Sequence, residues 1–249
     1  MAMYNKRLLE ELLPKCELEI HESVGSTQEL ANKCSWNPSN KPRVIIANKQ
    51  NNGHGRYGRA FYSPANTGIY FSLILPPQTA NPGLFTTGIA VSIFKSLSKS
   101  FPHKNFQFKW VNDIYLADKK IGGILVETVK DRLVCGVGLN ISTEEFPSSL
   151  KQVAGSITQD NSIMREYLLA AIINQIIQDI PNYNFGLHLS LYKEKSLILN
   201  HNISVKINNE SLEGVAIDIT ENGELVLQTS KQRHILNSGE ITKIRRQKA

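Results

Sequence analysis

The segment Gly53-His54-Gly55-Arg56-Tyr57-Gly58-Arg59 decides how this chain is read, because its glycines fit a dinucleotide-binding fingerprint while its surroundings do not. That fingerprint needs a strand before it and a helix opening behind it, so that a pyrophosphate meets the helix N-terminus. Here the segment runs into Ala60-Phe61-Tyr62-Ser63-Pro64-Ala65-Asn66-Thr67-Gly68, where Pro, Asn and Gly favour turns and no 3.6-residue apolar period occurs. The residues therefore argue against a Rossmann unit. What remains is a glycine loop whose amides and two guanidinium groups suit an anionic ligand, since Arg presents a planar fork of donors matched to carboxylate or phosphate. An ordinary surface loop with solvated arginines is the competing reading.

Outward from the loop, the patterning alternates between sheet and helix. Glu17 to His21 alternates, and Ser26-Thr27-Gln28-Glu29 carries the Ser and Glu spacing of a capping box, which predicts a helix to about Lys33. Arg43 to Ala47 reads as a strand entering the loop. Gly68 to Leu75 is a second strand, Asn81 to Ser100 a helix with Ile89, Ile93, Phe94 and Leu97 on one face, and Phe106 to Trp110 a third strand. Asp113 to Ala117, Lys120 to Val129 and Leu133 to Ile141 follow as β-rich runs. A long amphipathic helix from Ser162 to Ile180 is expected to stop at Pro181, with one more from Phe185 to Lys195. Helix and sheet mixed in this way predict an α+β domain over residues 1–198. After Leu199 only strands are expected: Ile203, Val205 and Ile207 alternate, as do Val215, Ile217 and Ile219. The hairpin signal Glu221-Asn222-Gly223 and runs at Leu225 to Leu227 and Ile241 to Ile244 complete about five strands, enough for a small barrel over 199–249.

Composition narrows the function classes. A chain of 249 residues, 41% hydrophobic and 20% charged, can bury a full core and reads as soluble and globular. Residues 1–15 interleave Lys6, Arg7, Glu10 and Glu11 with leucines, so they lack the apolar core of a signal peptide. No run approaches a membrane span, and a cytoplasmic protein is expected. Cys16, Cys34 and Cys135 are odd in number and lack C-x-x-C spacing, which points to neither disulfides nor a protein metal site. The net charge of +6 is modest, and Lys243, Arg245, Arg246 and Lys248 crowd the C-terminus as a solvated tail. Without a helix-turn-helix pattern or aromatic platforms in a basic stripe, nucleic acid is not indicated.

A second cluster supplies chemistry. Lys109-Trp110-Val111-Asn112-Asp113 precedes Lys120-Ile121-Gly122-Gly123-Ile124-Leu125-Val126-Glu127, so two lysines and an aspartate fall on neighbouring short strands beside glycines that admit a ligand to the backbone. The alternative is a solvated hairpin tip at Asp118-Lys119-Lys120. Gly136-Val137-Gly138-Leu139-Asn140 is equally two-sided: a bulge, or backbone approached by a substrate.

The ordered set of Gly25-Ser26-Thr27, Gln50, the 53–59 loop, Tyr62-Ser63-Pro64, Lys109 to Asp113, Lys120 to Glu127 and Gly136 to Asn140 is similar to that of biotin protein ligases, also called holocarboxylase synthetases. The resemblance spans nearly the whole chain. It implies a class II synthetase-like catalytic domain, with a mixed central sheet and flanking helices, followed by an SH3-like C-terminal domain. It further implies that biotin and ATP, with Mg²⁺ on the phosphates, give biotinyl-5′-adenylate, and that a lysine of the biotin carboxyl carrier protein of acetyl-CoA carboxylase then takes the biotinyl group. By position in the motifs, Lys120 meets the biotin carboxylate and reacting phosphate. Asp113 serves the acceptor amine, and Arg56 and Arg59 supply positive charge. Ser26, Thr27 and Gln50 serve the biotin ureido ring, and Gln28 belongs to the binding set. Phe61 stands where the family often has an adenine-packing Trp; Gly53, His54, Gly55, Lys109, Asn112, Gly123 and Asn140 complete the binding set.

Two positions depart from the pattern. His54 replaces a frequent arginine, exchanging a permanent charge for one that titrates near neutral pH, so adenylate retention should become weaker or pH dependent. Val111 replaces a usual proline and removes no chemical group. About 16 residues precede Glu17, too few for the winged helix of repressing relatives, so DNA binding is not expected. A homodimer would use edge strands. A lipoate or octanoate ligase of similar fold, or a non-catalytic binding module, are the competing functions.

Overall fold

The computed structural model describes residues 4–35, 41–76, 82–130, 132–207 and 210–245. Asn81, expected to open the long helix, and Arg246 and Lys248 of the basic tail lie outside them.

A helix α1 (Lys6–Leu12), capped by the Asn5 side chain, precedes β1 (Glu17–Val24), α2 (Thr27–Lys33), β2 (Arg43–Gln50) and β3 (Gly68–Leu75). The long α3 (Pro82–Ser100) leads to β4 (Phe106–Lys109), β5 (Asp113–Leu116), β6 (Lys119–Val129) and β7 (Arg132–Asn140). These strands form one seven-stranded sheet in the order β1-β2-β3-β7-β6-β5-β4. β1 and β2 are parallel and the other neighbours antiparallel, so the sheet is mixed.

The two-residue period of the strands sorts side chains between two faces. On β3, Ile69, Phe71 and Leu73 enter the main core with α3 and α4 (Arg165–Tyr183), while Ile74 packs with Ile45, Val134 and Ala31 beneath α2. Every residue of β3 is buried, which explains its nearly continuous apolar run. Ser72 is the exception in chemistry, and it falls on the α2 face.

Helix boundaries correct two expectations. α4 begins at Arg165 rather than Ser162 and continues past Pro181 to Tyr183. A proline in the last turn removes only one hydrogen bond. Tertiary contacts hold that turn in place: Tyr183 is buried, its hydroxyl is 2.7 Å from Ser92 Oγ, and its ring meets Phe85 edge-on at 5.0 Å. The following helix, α5, covers only Leu189–Glu194 instead of starting at Phe185, because Gly186 adopts φ +65° and breaks the path.

The C-terminal part is all β. Strands β8 (Asn202–Ile207), β9 (Glu210–Ile219), β10 (Leu225–Gln228), β11 (Arg233–Leu236) and β12 (Glu240–Arg245) pair in the order β11-β10-β9-β8-β12. The short β11, not located from sequence, supplies the fifth strand. Trp110 Nε1 donates to Gly223 O at 2.9 Å and Lys193 meets Asp218 at 2.7 Å, joining this sheet to the larger one. Among the described residues, no helix is long and apolar enough to cross a membrane.

Candidate functional site

A cavity of about 490 Å³ opens on the α2 face of the large sheet. Its floor is where the sheet carries small residues: Ser72 on β3, Gly136 and Gly138 on β7, and Gly123 on β6. Gly138 pairs with Gly123 across unshifted register, so the glycines mark no bulge. Two of them also have the site's own side chains close by. A Cβ at Gly136 would lie 2.5 Å from Gln28 Oε1, and one at Gly138 would lie 2.5–3.0 Å from the Phe61 ring.

One end of the cavity is a row of amides and hydroxyls. The Thr27 amide and hydroxyl both donate to Gln50 Oε1, at 2.9 and 3.1 Å, and Gln50 Nε2 donates to Ser63 Oγ at 3.0 Å. Ser72 Oγ stands 3.0 Å from both Thr27 Oγ1 and Gln28 Oε1. Ser26 caps α2, accepting from the Glu29 amide at a long 3.5 Å, and also lines the cavity. The cap uses a lone pair and leaves the hydroxyl proton free.

The other end is charged. Lys120 Nζ lies 2.6 Å from Asp113 Oδ1. Gly123 makes this pair fit, since a Cβ there would stand 3.3 Å from Lys120 Nζ. Burial pushes the Lys109 ammonium below the usual lysine range, against the attraction of Asp113 and with the repulsion of Lys120. Asn112 is held by its amide on Ile124 O at 3.1 Å, and its Oδ1 accepts from Arg56 at 3.4 Å. Asn140 donates to Gly155 O at 3.1 Å, while its buried Oδ1 has no hydrogen-bond partner among the described residues. An orphaned acceptor in a cavity wall invites a ligand donor.

The 53–59 loop opens no α-helix and has only one 3-10 turn, at Arg56–Gly58. It folds back as an arm, with Phe61 N donating to Gly53 O at 2.7 Å and Gly55 N to Arg59 O at 2.8 Å. At its tip Tyr57 and Gly58 both take left-handed conformations, φ 59° and 69°. Arg56 reaches Asn112, Gly239 O at 3.5 Å and the Tyr57 hydroxyl at 3.1 Å, and Arg59 forms a two-point ion pair with Glu240. His54 Nδ1 lies 3.9 Å from the Glu29 carboxylate.

The sequence-predicted residues Ser26, Thr27, Gln28, Gln50, His54, Gly55, Arg56, Arg59, Phe61, Lys109, Asn112, Asp113, Lys120, Gly123 and Asn140 all line this cavity. Gly53 does not; it lies beneath the arm, where a Cβ would be 2.8–2.9 Å from Ser63 Oγ, Gln50 Nε2 and Phe61 O. Its part is to let that hydrogen-bonded chain pass. Sequence reasoning missed Tyr115, the apolar wall of Phe146, Leu150, Val153 and Ala154, and the rim from Gly239 to Thr242. The wall's only local signal was Phe146 and Leu150, four apart in a polar stretch.

Four basic residues, Arg56, Arg59, Lys109 and Lys120, face two acidic ones, Asp113 and Glu240, so the lining carries an excess of two positive charges with His54 neutral. Such a site attracts anions. Packing supplies a test of the Phe61 wall. Gly138→Ala should force the ring into the cavity, at a cost of about 1–3 kcal/mol in overpacking, read as a lower thermal midpoint; an unchanged midpoint would show that the ring yields without strain.

The family model of the biotin/lipoate A/B protein ligase family matches residues 21–142, and that of the biotin protein ligase C terminal domain matches residues 198–243. The chain is 27% identical over 237 residues to the bifunctional ligase/repressor BirA of Bacillus subtilis, covering 89% of this chain and 72% of that protein. It is 26% identical over 242 residues to the biotin–[acetyl-CoA-carboxylase] ligase of Mycobacterium tuberculosis, covering 92% and 90%. Among solved structures, the biotin protein ligase from Aquifex aeolicus in complex with biotin and ATP is similar with a TM-score of 0.81 at 25% identity, over 93% of this chain and 99% of that one. One model falls on the sheet that floors the cavity and the other on the all-β part that rims it: the chain belongs to the biotin/lipoate A/B protein ligase family, among its biotin protein ligases.

Proposed function

We propose that the protein activates biotin with ATP as biotinyl-5′-adenylate and transfers the biotinyl group to a lysine of a biotin carboxyl carrier protein. Residues 1–198 would carry the chemistry and residues 199–249 complete the rim. The carrying observation is that one cavity joins a neutral polar row, at Thr27, Gln28 and Gln50, to the Lys120–Asp113 pair under an arginine-bearing arm.

Proton counting supports biotin at the neutral end. The Thr27 hydroxyl proton goes to Gln50, so the one Ser72 proton serves either Thr27 Oγ1 or Gln28 Oε1 and leaves the other acceptor open. Ser26 still has its hydroxyl proton to give. A ring urea, one carbonyl between two N–H groups, complements this set. A plain acyl chain, as in octanoate, would leave it unsatisfied, at a cost of about 1–3 kcal/mol for each polar group.

In the first step a biotin carboxylate oxygen bonds to the α-phosphorus and the α–β bridging bond breaks, releasing pyrophosphate. Two anions must meet, so fixed positive charge from Lys120, Arg56 and Arg59 lowers the barrier. Lys109, whose charged form burial disfavours, is favoured as the ammonium beside a phosphate. In the second step the neutral acceptor amine bonds to the acyl carbon, the acyl–phosphate oxygen bond breaks with AMP leaving, and the amine's proton passes toward Asp113. Among the described residues no group of three or more His, Cys, Asp or Glu could hold a metal ion. Mg²⁺ would thus come on the triphosphate, ligated mainly by phosphate and water oxygens, and supply charge neutralisation there.

The free thiols of Cys16, Cys34 and Cys135 suit a reducing cytoplasm. The sheet edge at β4 is covered by residues 195–197, with Phe108 N donating to Lys195 O at 2.9 Å, so within the large sheet β1 is the edge a homodimer would use. The reading is tested by incubation with ATP, labelled biotin and a carrier domain. Label on the carrier together with biotin-dependent pyrophosphate release is expected; neither would appear if the cavity served another ligand.

The arm carries its own prediction. Arg56→Ala removes links to Asn112, Gly239 and Tyr57 and should release the adenylate to solvent about ten to a hundred times faster, since hydrogen bonds to charged groups contribute about 1.5–3 kcal/mol. Biotin affinity and intermediate release both unchanged would make the arm a surface turn.

A further inference from the structure

Glu127 ends the Lys120–Glu127 motif on β6 and is not among the residues lining the cavity. We propose that it is a positioning residue that fixes the polarity of the ureido subsite through the Gln28 amide, and so makes the floor select a ring urea; this rests on the biotin reading above.

Pairing of Leu125 with Gly136 and Glu127 with Val134 puts Glu127 on the cavity face of the sheet, next to α2. There its Oε2 accepts from Gln28 Nε2 at 2.7 Å and from Asn32 Nδ2 at 3.1 Å. An ionised carboxylate can only accept, so the amide nitrogens of both residues must face it. The bond is charge-assisted and stronger than a neutral one. Gln28 is 3% exposed, so no water competes freely for its amide.

With the Gln28 nitrogen committed, its carbonyl must point the other way. It lies over Gly136, where a Cβ would come within 2.5 Å, and 3.0 Å from Ser72 Oγ. A reversed amide would set a carbonyl against the carboxylate and turn an N–H₂ group toward the floor. The row would then offer a donor where a urea N–H needs an acceptor. The ion behind α2 therefore dictates the direction of hydrogen bonds at the ligand, and Gly136 supplies the space that this orientation needs.

Calorimetry with biotin, steady-state kinetics and a charge exchange test the proposal. Glu127→Gln keeps size but leaves only a long 3.5 Å bond from Gln28 Nε2 to Val134 O to orient that amide. It should raise the biotin dissociation constant about ten- to a hundredfold, with the KM for ATP and kcat at saturating biotin within about threefold. Combining Gln28→Glu with Glu127→Gln restores an acceptor-only group over Ser72 and a donor at position 127. That double variant should regain most of the biotin affinity, whereas Gln28→Glu alone, with two facing carboxylates, should be the weakest. A purely structural clamp predicts something else: loss of ATP and biotin binding together, with no rescue by the exchange. Wild-type affinity in Glu127→Gln, or an exchange variant no better than the single ones, would overturn the proposal. Absence of biotin binding by the wild-type protein would instead sink the ligase reading itself. If Glu127→Gln alone does not fold, the exchange variant still decides.

Discussion

Lys120→Ala should lower biotin-dependent pyrophosphate release by about a hundred- to a thousandfold while leaving the fold in place. The size comes from the role: a preorganised donor aimed at developing negative charge contributes about 2.7–4 kcal/mol to the barrier. Stability should barely move. The Lys120–Asp113 pair is partly exposed, with side chains 34% and 20% accessible, and such pairs contribute about 1 kcal/mol or less. The strand itself is held by backbone, since Lys120 N donates to Val153 O at 2.9 Å and its carbonyl accepts from Gly155 N at 2.9 Å. Pyrophosphate release and the thermal midpoint, measured on the same preparation, separate the two roles. A loss below tenfold, or a collapse of the thermal midpoint, would remove Lys120 from the chemistry.

The arm and the floor show why parts of this molecule are readable from sequence. Turn formers after Gly58 exclude a helix, and the structure has none there, because Tyr57 and Gly58 take left-handed conformations at a tip closed by local backbone bonds. Ser26, Thr27 and Gln28 start a helix whose cap chemistry is local, so their common direction toward the sheet follows from a few adjacent residues. Alternation on β3 likewise assigns faces without knowledge of the partner strands.

Other features depend on residues far apart in the chain. Glu240 meets Arg59 across 181 positions, and nothing around Glu240 distinguishes it from any other strand carboxylate. Tyr183 carries α4 through Pro181 only because Ser92 and Phe85 await it, so the local breaker signal loses to packing. Glycines at 136 and 138 line the cavity, but the sequence could not tell that Gln28 and Phe61 lie against them. Sequence periodicity tells which face a residue takes, while identity of the neighbour is a tertiary fact.

Asp113→Asn should separate the two half-reactions. In this structure Asp113 Oδ1 holds Lys120 Nζ at 2.6 Å, so on the proposed mechanism one carboxylate would have two tasks, positioning the lysine and receiving the acceptor amine's proton. Asparagine keeps a carbonyl oxygen for Lys120 but cannot take a proton at neutral pH. Adenylate formation should therefore fall by no more than about tenfold, the scale of one weakened partly exposed charge interaction. Transfer from preformed biotinyl-adenylate to the carrier lysine should fall by about a hundred- to ten-thousandfold, the usual range for a lost general base. Raising the pH should recover part of that transfer in the variant, because more of the acceptor amine is then neutral without help. Lysine reference values near 10.4 put this recovery on the alkaline side of neutrality. Equal losses in both half-reactions, with no alkaline recovery, would reduce Asp113 to an anchor for Lys120 and leave the acceptor amine to lose its proton to solvent.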